Sequence, residues 1–209
     1  MGCYTTVFFD FGGVLAEEGF REGLKAIGRN SGIDPEKVVH IGTEVVYASG
    51  YVVGAVGEDR YWNEFRRRTG ITAPDQELRG EILSRFVLRP EMFQAVRQLK
   101  TRGYTVAILS DQTNWLDELD ARHEFFSLFD RVFNSYHQGR SKKDPHLFVA
   151  VTEEMGIAPA KTLFLDDNAG NIERAEAQGL KGILVDEGRD ALKTLEEVLA
   201  IEFAAGQNR

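Results

Sequence analysis

Cysteine is almost absent. With Cys3 alone, the chain can form no intramolecular disulfide, so the fold must rest on burial and hydrogen bonding, as in a reducing compartment. No apolar run approaches the ~18 residues of a bilayer-spanning helix, and no basic stretch precedes a cleavable apolar segment. Both lacks point to a cytoplasmic protein. Positive charge is also short. Against 33 acidic residues stand 25 basic ones, and the net charge of −8 removes any general attraction to nucleic acid or anionic membrane. What is present is core material: 43% of the 209 residues are hydrophobic and 28% charged, which excludes disorder and allows one large domain or a domain with an insertion.

One targeting signal is set aside. Met1-Gly2-Cys3-Tyr4-Thr5-Thr6 fits an N-myristoylation pattern, with Cys3 as a second acylation position. Anchoring normally takes two signals, no polybasic patch follows, and Tyr4 onward reads as entry into a strand. The expectation is therefore no membrane partner.

Apolar, β-rich runs recur at Thr6–Phe9, Thr105–Leu109, Arg131–Phe133, Thr162–Leu165 and Gly182–Val185. Segments of helical period lie between them. Met92, Phe93, Val96 and Leu99 share one face from Pro90 to Arg102, before Gly103. Pro145 stands at a first helical position ahead of Leu147, Phe148, Val151 and Met155, and Asn168 to Gln178 closes at Gly179. Alternation of this kind predicts an α/β fold with a parallel sheet covered on both faces. The first gap differs. Between Ala16 and Leu88 only helical signals occur: Phe20, Leu24 and Ile27; Asp34-Pro35 as cap and first position; Tyr61, Trp62 and Phe65; then Leu78, Ile82, Leu83 and Phe86. That gap reads as a helical insertion. No internal repeat is visible, and the only low-complexity stretch is the polar tail from Gly206 to Arg209.

Ligands of an open parallel sheet bind beyond the carboxyl ends of its strands. Asp10 ends the first run, Ser110 the second and Asp166-Asp167 the fourth, and Lys142 lies in the loop before Pro145. Singly, strand-end Asp and Ser commonly cap the next helix. Together they bring three carboxylates into one crevice, where close like charges cannot all ionise cheaply. Lys142 supplies one positive charge and a divalent cation two, leaving a neutral site for an anion. Oxygen-only ligands with room for water suit Mg²⁺. Backbone amides at helix starts after Gly12 and Ser110 are expected to face that anion. The sum suits phosphoryl chemistry.

These residues resemble the motifs of the haloacid dehalogenase superfamily. Phe8-Phe9-Asp10-Phe11-Gly12-Gly13-Val14-Leu15 is similar to its first motif, and Ile108-Leu109-Ser110 to its second. Lys142-Lys143-Asp144-Pro145-His146-Leu147-Phe148 is similar to its third, with Lys143 where proline is usual. Leu163-Phe164-Leu165-Asp166-Asp167-Asn168, with Asn171-Ile172 and Gly179, is similar to its fourth. The likeness runs from Thr6 to Val185 in the family's order, and points toward glucose-1-phosphatase-type phosphatases and the phosphatase domain of soluble epoxide hydrolases. It implies a three-layer Rossmann-like core over 1–15 and 89–209, with a small helical-bundle cap over 16–88. It also implies a Mg²⁺-dependent phosphomonoester hydrolase acting on a small phosphorylated metabolite, for example a sugar phosphate. Asp10 would be the nucleophile that becomes an aspartyl-phosphate. Ser110 and Lys142 would hold the phosphoryl group, with Gly12 and Asp111 beside the substrate. The metal would be held by Asp10, the Gly12 carbonyl, Asp167 and, through water, Asp166.

The departures matter. Most phosphatases of the superfamily carry a second Asp two residues after the nucleophile to protonate the leaving oxygen, and here that place holds Gly12. Dehalogenases lack that Asp too, but they also lack the acidic pair kept here. Two alternatives stand beside the phosphatase: a catalytically weak member that binds phosphorylated ligands, and a metal-independent 2-haloacid dehalogenase. A phospho-receiver domain has the wrong motif order. Without a carboxylate at 12, rates should depend steeply on the leaving group, unless Glu17 or Glu18 substitutes; both read first as solvated helix-start residues. Asp111 reads as a cap on the next helix. Arg66, Arg67 and Arg68 diverge by ~100° per residue, so a solvated face is expected rather than an anion clamp. Trp62 and Trp115 read as packing, and the four histidines show no metal spacing.

Overall fold

A computed structural model describes residues 4–186 and 191–203. The acylation pattern up to Cys3 and the polar tail from Gly206 lie outside the described residues. Five strands form one parallel sheet: β1 (Thr6–Phe9), β2 (Thr105–Ser110), β3 (Arg131–Asn134), β4 (Thr162–Asp166) and β5 (Lys181–Leu184), in the order β3-β2-β1-β4-β5. All five expected runs are strands. Their order puts β1 in the middle, flanked by β2 and β4. Asp10, Ser110 and Asp166-Asp167 therefore stand side by side at one edge of the sheet.

Alternate side chains of each strand build two apolar layers, as the period of two requires. Phe8, Ala107, Leu109, Phe133 and Phe164 meet Leu147, Phe148 and Val151 on one face. Val7, Phe9, Val106, Ile108, Leu163 and Leu165 meet Met92, Phe93, Val96, Leu99 and Leu195 on the other. The chain's helices are α1 (Gly19–Asn30), α2 (Pro35–Ala48), α3 (Glu58–Thr69), α4 (Asp75–Leu83), α5 (Pro90–Thr101), α6 (Trp115–His123), α7 (Ser135–Gln138), α8 (His146–Glu154), α9 (Ala169–Ala177) and α10 (Ala191–Leu199). Helix α8 begins one residue after Pro145, whose carbonyl already accepts from the Phe148 N–H, so the proline sits at the cap rather than inside.

Four helices fill the gap between β1 and α5, with no strand of the sheet among them. The Asp34 carboxylate accepts from the Glu36 N–H and Pro35 follows, so α2 starts where the sequence places it. Helix α1 crosses α4 closely because Gly23 has no side chain: a Cβ there would come within 2.5 Å of the Ile82 Cα. The two crossings into this segment lie together. Ala16 pairs antiparallel with Leu88, the Glu17 N–H donates to the Val87 carbonyl at 2.8 Å, and the Arg89 N–H donates to the Leu15 carbonyl at 2.9 Å. No helix among the described residues is long and apolar enough to cross a membrane.

Candidate active site

Asp10 follows β1 directly, and its backbone N–H continues the pairing by donating to the Leu165 carbonyl at 2.9 Å. Its Oδ1 accepts from the Phe11 N–H at 2.7 Å and from the Ser110 hydroxyl at 2.5 Å. Its Oδ2 meets the Lys142 Nζ at 2.7 Å. The same ammonium donates to Asp166 Oδ2 at 2.6 Å. Lys142 comes from the loop between α7 and α8, where both sides of its backbone are held: its N–H donates to Asp111 Oδ1 at 2.8 Å, and its carbonyl accepts from Arg174 Nε at 2.8 Å. Asp166 is wholly buried, and Asn171, in the first turn of α9, donates to both its oxygens at 3.1 Å. Asp167, the next residue, lies at the cavity base, partly open to solvent. Close behind it is Gly13, at a φ of +76°, where a Cβ would fall 2.2 Å from Asp167 Oδ2. Only glycine satisfies both demands.

Charge is unbalanced here. Burial pushes the Asp10 carboxyl well above the usual range, and the neighbouring Asp166 adds to that, against the pull of Lys142 and Ser110. Burial and Asp166 likewise raise Asp167. Burial alone would lower Lys142, but Asp10, Asp166 and Asp111 together hold it protonated with its affinity for the proton raised. One ammonium thus serves several carboxylates. Oxygens of Asp10, Asp166 and Asp167 lie within 4.8 Å of one another, an oxygen-only donor set with surplus negative charge that fits a small hard dication such as Mg²⁺. No histidine belongs to that cluster.

A cavity of about 620 Å³ opens above this floor. Asp10, Gly12, Asp111, Lys142, Asp167 and Asn171 line its base, and α1 and α2 supply a wall that includes Phe20, Arg21, His40, Thr43 and Tyr47. The site residues expected from the sequence are therefore all at or beside one crevice. Several expectations need correction. No helix starts directly after Gly12 or Ser110: residues 11–16 form a turn in which the N–H groups of Val14, Leu15 and Ala16 return to the Phe11 carbonyl, and α6 begins only at Trp115. Asp111 caps no helix. Its two oxygens accept from the Lys142 N–H and, at 3.0 Å, from the Tyr47 hydroxyl of α2. Glu18 does stand at a helix start, capping α1, but it is half-buried rather than fully solvated and lines the cavity. Trp115 is buried packing, as expected, but it also borders the cavity. The three consecutive arginines do pair away from it, with Asp75, Glu64 and Glu44.

Arg174, Tyr47 and Arg89 stand outside every sequence motif, and Asn171 stands in the fourth without a role of its own. Asn171 was legible in part, because a residue five positions after Asp166 on α9 comes back over the strand end. Arg89, which donates to the Gly13 carbonyl at 2.7 Å, carried no local signal.

Against known proteins, the model of the haloacid dehalogenase-like hydrolases matches residues 4–179, and the chain belongs to that family. Bifunctional epoxide hydrolase 2 of Rattus norvegicus is 32% identical over 146 residues, which is 64% of this chain and 26% of that protein. The chain thus spans about a quarter of the length of that curated relative. Phosphatase MT3486 of Mycobacterium tuberculosis is 29% identical over 56% of this chain and 55% of its own. A haloacid dehalogenase family enzyme of Bacteroides thetaiotaomicron superposes with a TM-score of 0.75 at 22% identity, covering 93% of this chain and 99% of its own. The same enzyme in complex with magnesium and inorganic phosphate gives 0.70 at 22% identity, over 90% of this chain and 96% of its own.

Proposed function

We propose that this hydrolase is a Mg²⁺-dependent phosphomonoester hydrolase that works through an aspartyl-phosphate on Asp10, with a small phosphorylated metabolite as substrate. The observation that carries the reading is the Asp10–Lys142–Asp166 contact, 2.7 and 2.6 Å long, with Ser110 on the far oxygen of Asp10 and Asp167 alongside. Asp10 attacks phosphorus, the ester P–O bond breaks, and the leaving oxygen departs with its electron pair. Water then attacks the aspartyl-phosphate and restores the carboxylate. Lys142 and Ser110 orient Asp10 and offer donors to the phosphoryl oxygens, where charge is greatest in the transition state. Asp10, Asp167 and the Gly12 carbonyl would hold the metal, with Asp166 acting through water. When bound, Mg²⁺ would offset the charge of the phosphoryl oxygens.

The helical segment 16–88 would act as a cap on the core of 1–15 and 89–209. Its adjacent crossings at Ala16 and Leu88 give it a narrow hinge, and its helices α1 and α2 wall the cavity where water must be excluded. The relatives support the phosphatase: one is named a phosphatase, and one neighbour was crystallised with magnesium and phosphate. The retained acidic pair also favours it over metal-free dehalogenation.

The test is a screen of phosphorylated metabolites with and without Mg²⁺, on wild type and Asp10→Asn. Asparagine keeps the volume and removes the nucleophilic charge, so turnover should vanish while circular dichroism stays unchanged. Activity retained by purified Asp10→Asn, or hydrolysis indifferent to EDTA, would refute the reading and move the assay to 2-haloacids.

A further inference from the structure

Two glutamates follow the turn after Asp10, and they part. The Glu17 carboxylate stays on the surface, paired with the Arg89 guanidinium at 3.1 Å through both its oxygens. Glu18 points the other way, into the cavity that Asp10, Lys142 and Asp167 also line. Its Oε2 accepts from the Arg21 N–H at 2.7 Å, capping α1. Its Oε1 accepts no hydrogen bond from any described residue. That free oxygen lies 3.6 Å from where a Cβ on Gly12 would stand. The carboxyl therefore borders the space that a side chain at position 12 would use.

We propose that Glu18 is a catalytic residue of this chain, the donor that protonates the leaving-group oxygen. The proposal rests on the phosphatase reading above. As Asp10 bonds to phosphorus and the ester P–O bond breaks, the proton on Glu18 Oε1 passes to the departing oxygen, which leaves as an alcohol. Glu18 is then a carboxylate. In the second step it takes a proton from the water whose oxygen attacks the aspartyl-phosphate; the bond from phosphorus to the Asp10 oxygen breaks, phosphate leaves, and both carboxyl groups return to their starting forms. Burial at the cavity edge pushes the Glu18 carboxyl up to about 7, against the pull of the Arg21 N–H and charge. The capping bond to Arg21 fixes one oxygen and leaves the other to the substrate, an orientation that a mere helix cap does not need.

Glu18→Gln tests this. The amide oxygen can still accept from Arg21, so α1 keeps its cap, but the side chain has no proton of suitable acidity to give. The measurement is log kcat/KM against leaving-group pKa for a series of aryl and alkyl phosphates with Mg²⁺, on wild type, Glu18→Gln and Glu18→Gln with Gly12→Asp. A general acid is worth ~10²–10⁴ and matters most for poor leaving groups. Wild type should give a shallow line. Glu18→Gln should lose about 10²-fold or more on alkyl phosphates and under about tenfold on p-nitrophenyl phosphate, so its line steepens. Adding Gly12→Asp should restore alkyl turnover in part; position 12 is not in the left-handed region, and a Cβ there meets only ordinary contacts at 3.5–3.6 Å. An equal loss across the series, or none, overturns the role of Glu18 and leaves the phosphatase reading standing. A steep wild-type line overturns it without any variant. Failure of wild type to hydrolyse any phosphomonoester overturns both.

Discussion

Replacing Lys142 by methionine tests the electrostatic core of the site. Lys142 is 1% exposed, and its ammonium lies 2.7 Å from one buried carboxylate and 2.6 Å from another, 5.6 Å from the centre of the Phe164 ring. Methionine keeps most of the stem, so packing changes little and the charge alone is lost. Removing one partner from a buried ion pair costs about 3–5 kcal/mol, because the other charge remains without compensation. Here two remain. A domain of this kind is stable by roughly 5–15 kcal/mol, so the loss is a large fraction, and the melting temperature should fall by about 10 °C. The assay is urea and thermal unfolding in EDTA at pH 7. Asp166→Asn added to Lys142→Met removes one stranded charge and should recover at least about 1 kcal/mol, a coupling that neither single change shows. Mg²⁺ should stabilise Lys142→Met more than wild type, since the cation then meets more uncompensated negative charge. A loss under about 1 kcal/mol, with no added response to Mg²⁺, would refute the charge argument for the cluster.

Two further outcomes follow from the same geometry. Asp167→Ala should raise the Mg²⁺ concentration needed for half-maximal rate without lowering the melting temperature in EDTA, because the side chain is partly open to solvent and its loss relieves repulsion with Asp166; a titration of rate against Mg²⁺ reads it, and an unchanged midpoint removes Asp167 from the metal. Gly13→Ala should displace Asp167 and strain the turn, since the new Cβ would stand 2.2 Å from its Oδ2 at a φ of +76°; weakened Mg²⁺ binding by calorimetry and a stability loss of about 1 kcal/mol or more are expected, and wild-type Mg²⁺ affinity would show that the turn can relax.

Much of the architecture was readable from local pattern. A strand that is apolar on both faces announces a buried parallel strand, and all five such runs are paired strands in register. Helix α2 was legible from Asp34-Pro35, because a cap and a first-turn proline act through their own backbone neighbours. The strand-end residues Asp10, Ser110 and Asp166-Asp167 were legible as a group because the sheet's geometry collects whatever stands at those ends. Failures began where position depended on distant partners. Asp111 looks like a cap in sequence, yet its partners are Tyr47 and Lys142, 64 and 31 residues away. The left-handed φ of +76° falls at Gly13, and in a Gly-Gly pair nothing local chooses which residue takes it.

The two adjacent glutamates show why the catalytic part is the hardest to read. Glu17 and Glu18 have the same chemistry, and each stands at the start of a helix, so pattern alone treats them alike. What separates them is Arg89, 72 residues later, which binds the Gly13 carbonyl and takes the Glu17 carboxylate to the surface. Arg89 can do so only because Ala16 and Leu88 pair, bringing the start and finish of the helical segment together. With Glu17 tied outward and the Arg21 N–H fixing one oxygen of Glu18, the remaining oxygen is left facing Gly12. The hinge that would let the helical segment move thus also sets the carboxyl at its edge. Arg89→Ala should therefore disturb the leaving-group dependence as well as closure, although Arg89 is not among the residues that line the cavity. If Arg89→Ala altered KM alone and left the slope of log kcat/KM against leaving-group pKa untouched, the hinge and the acid would be separate devices.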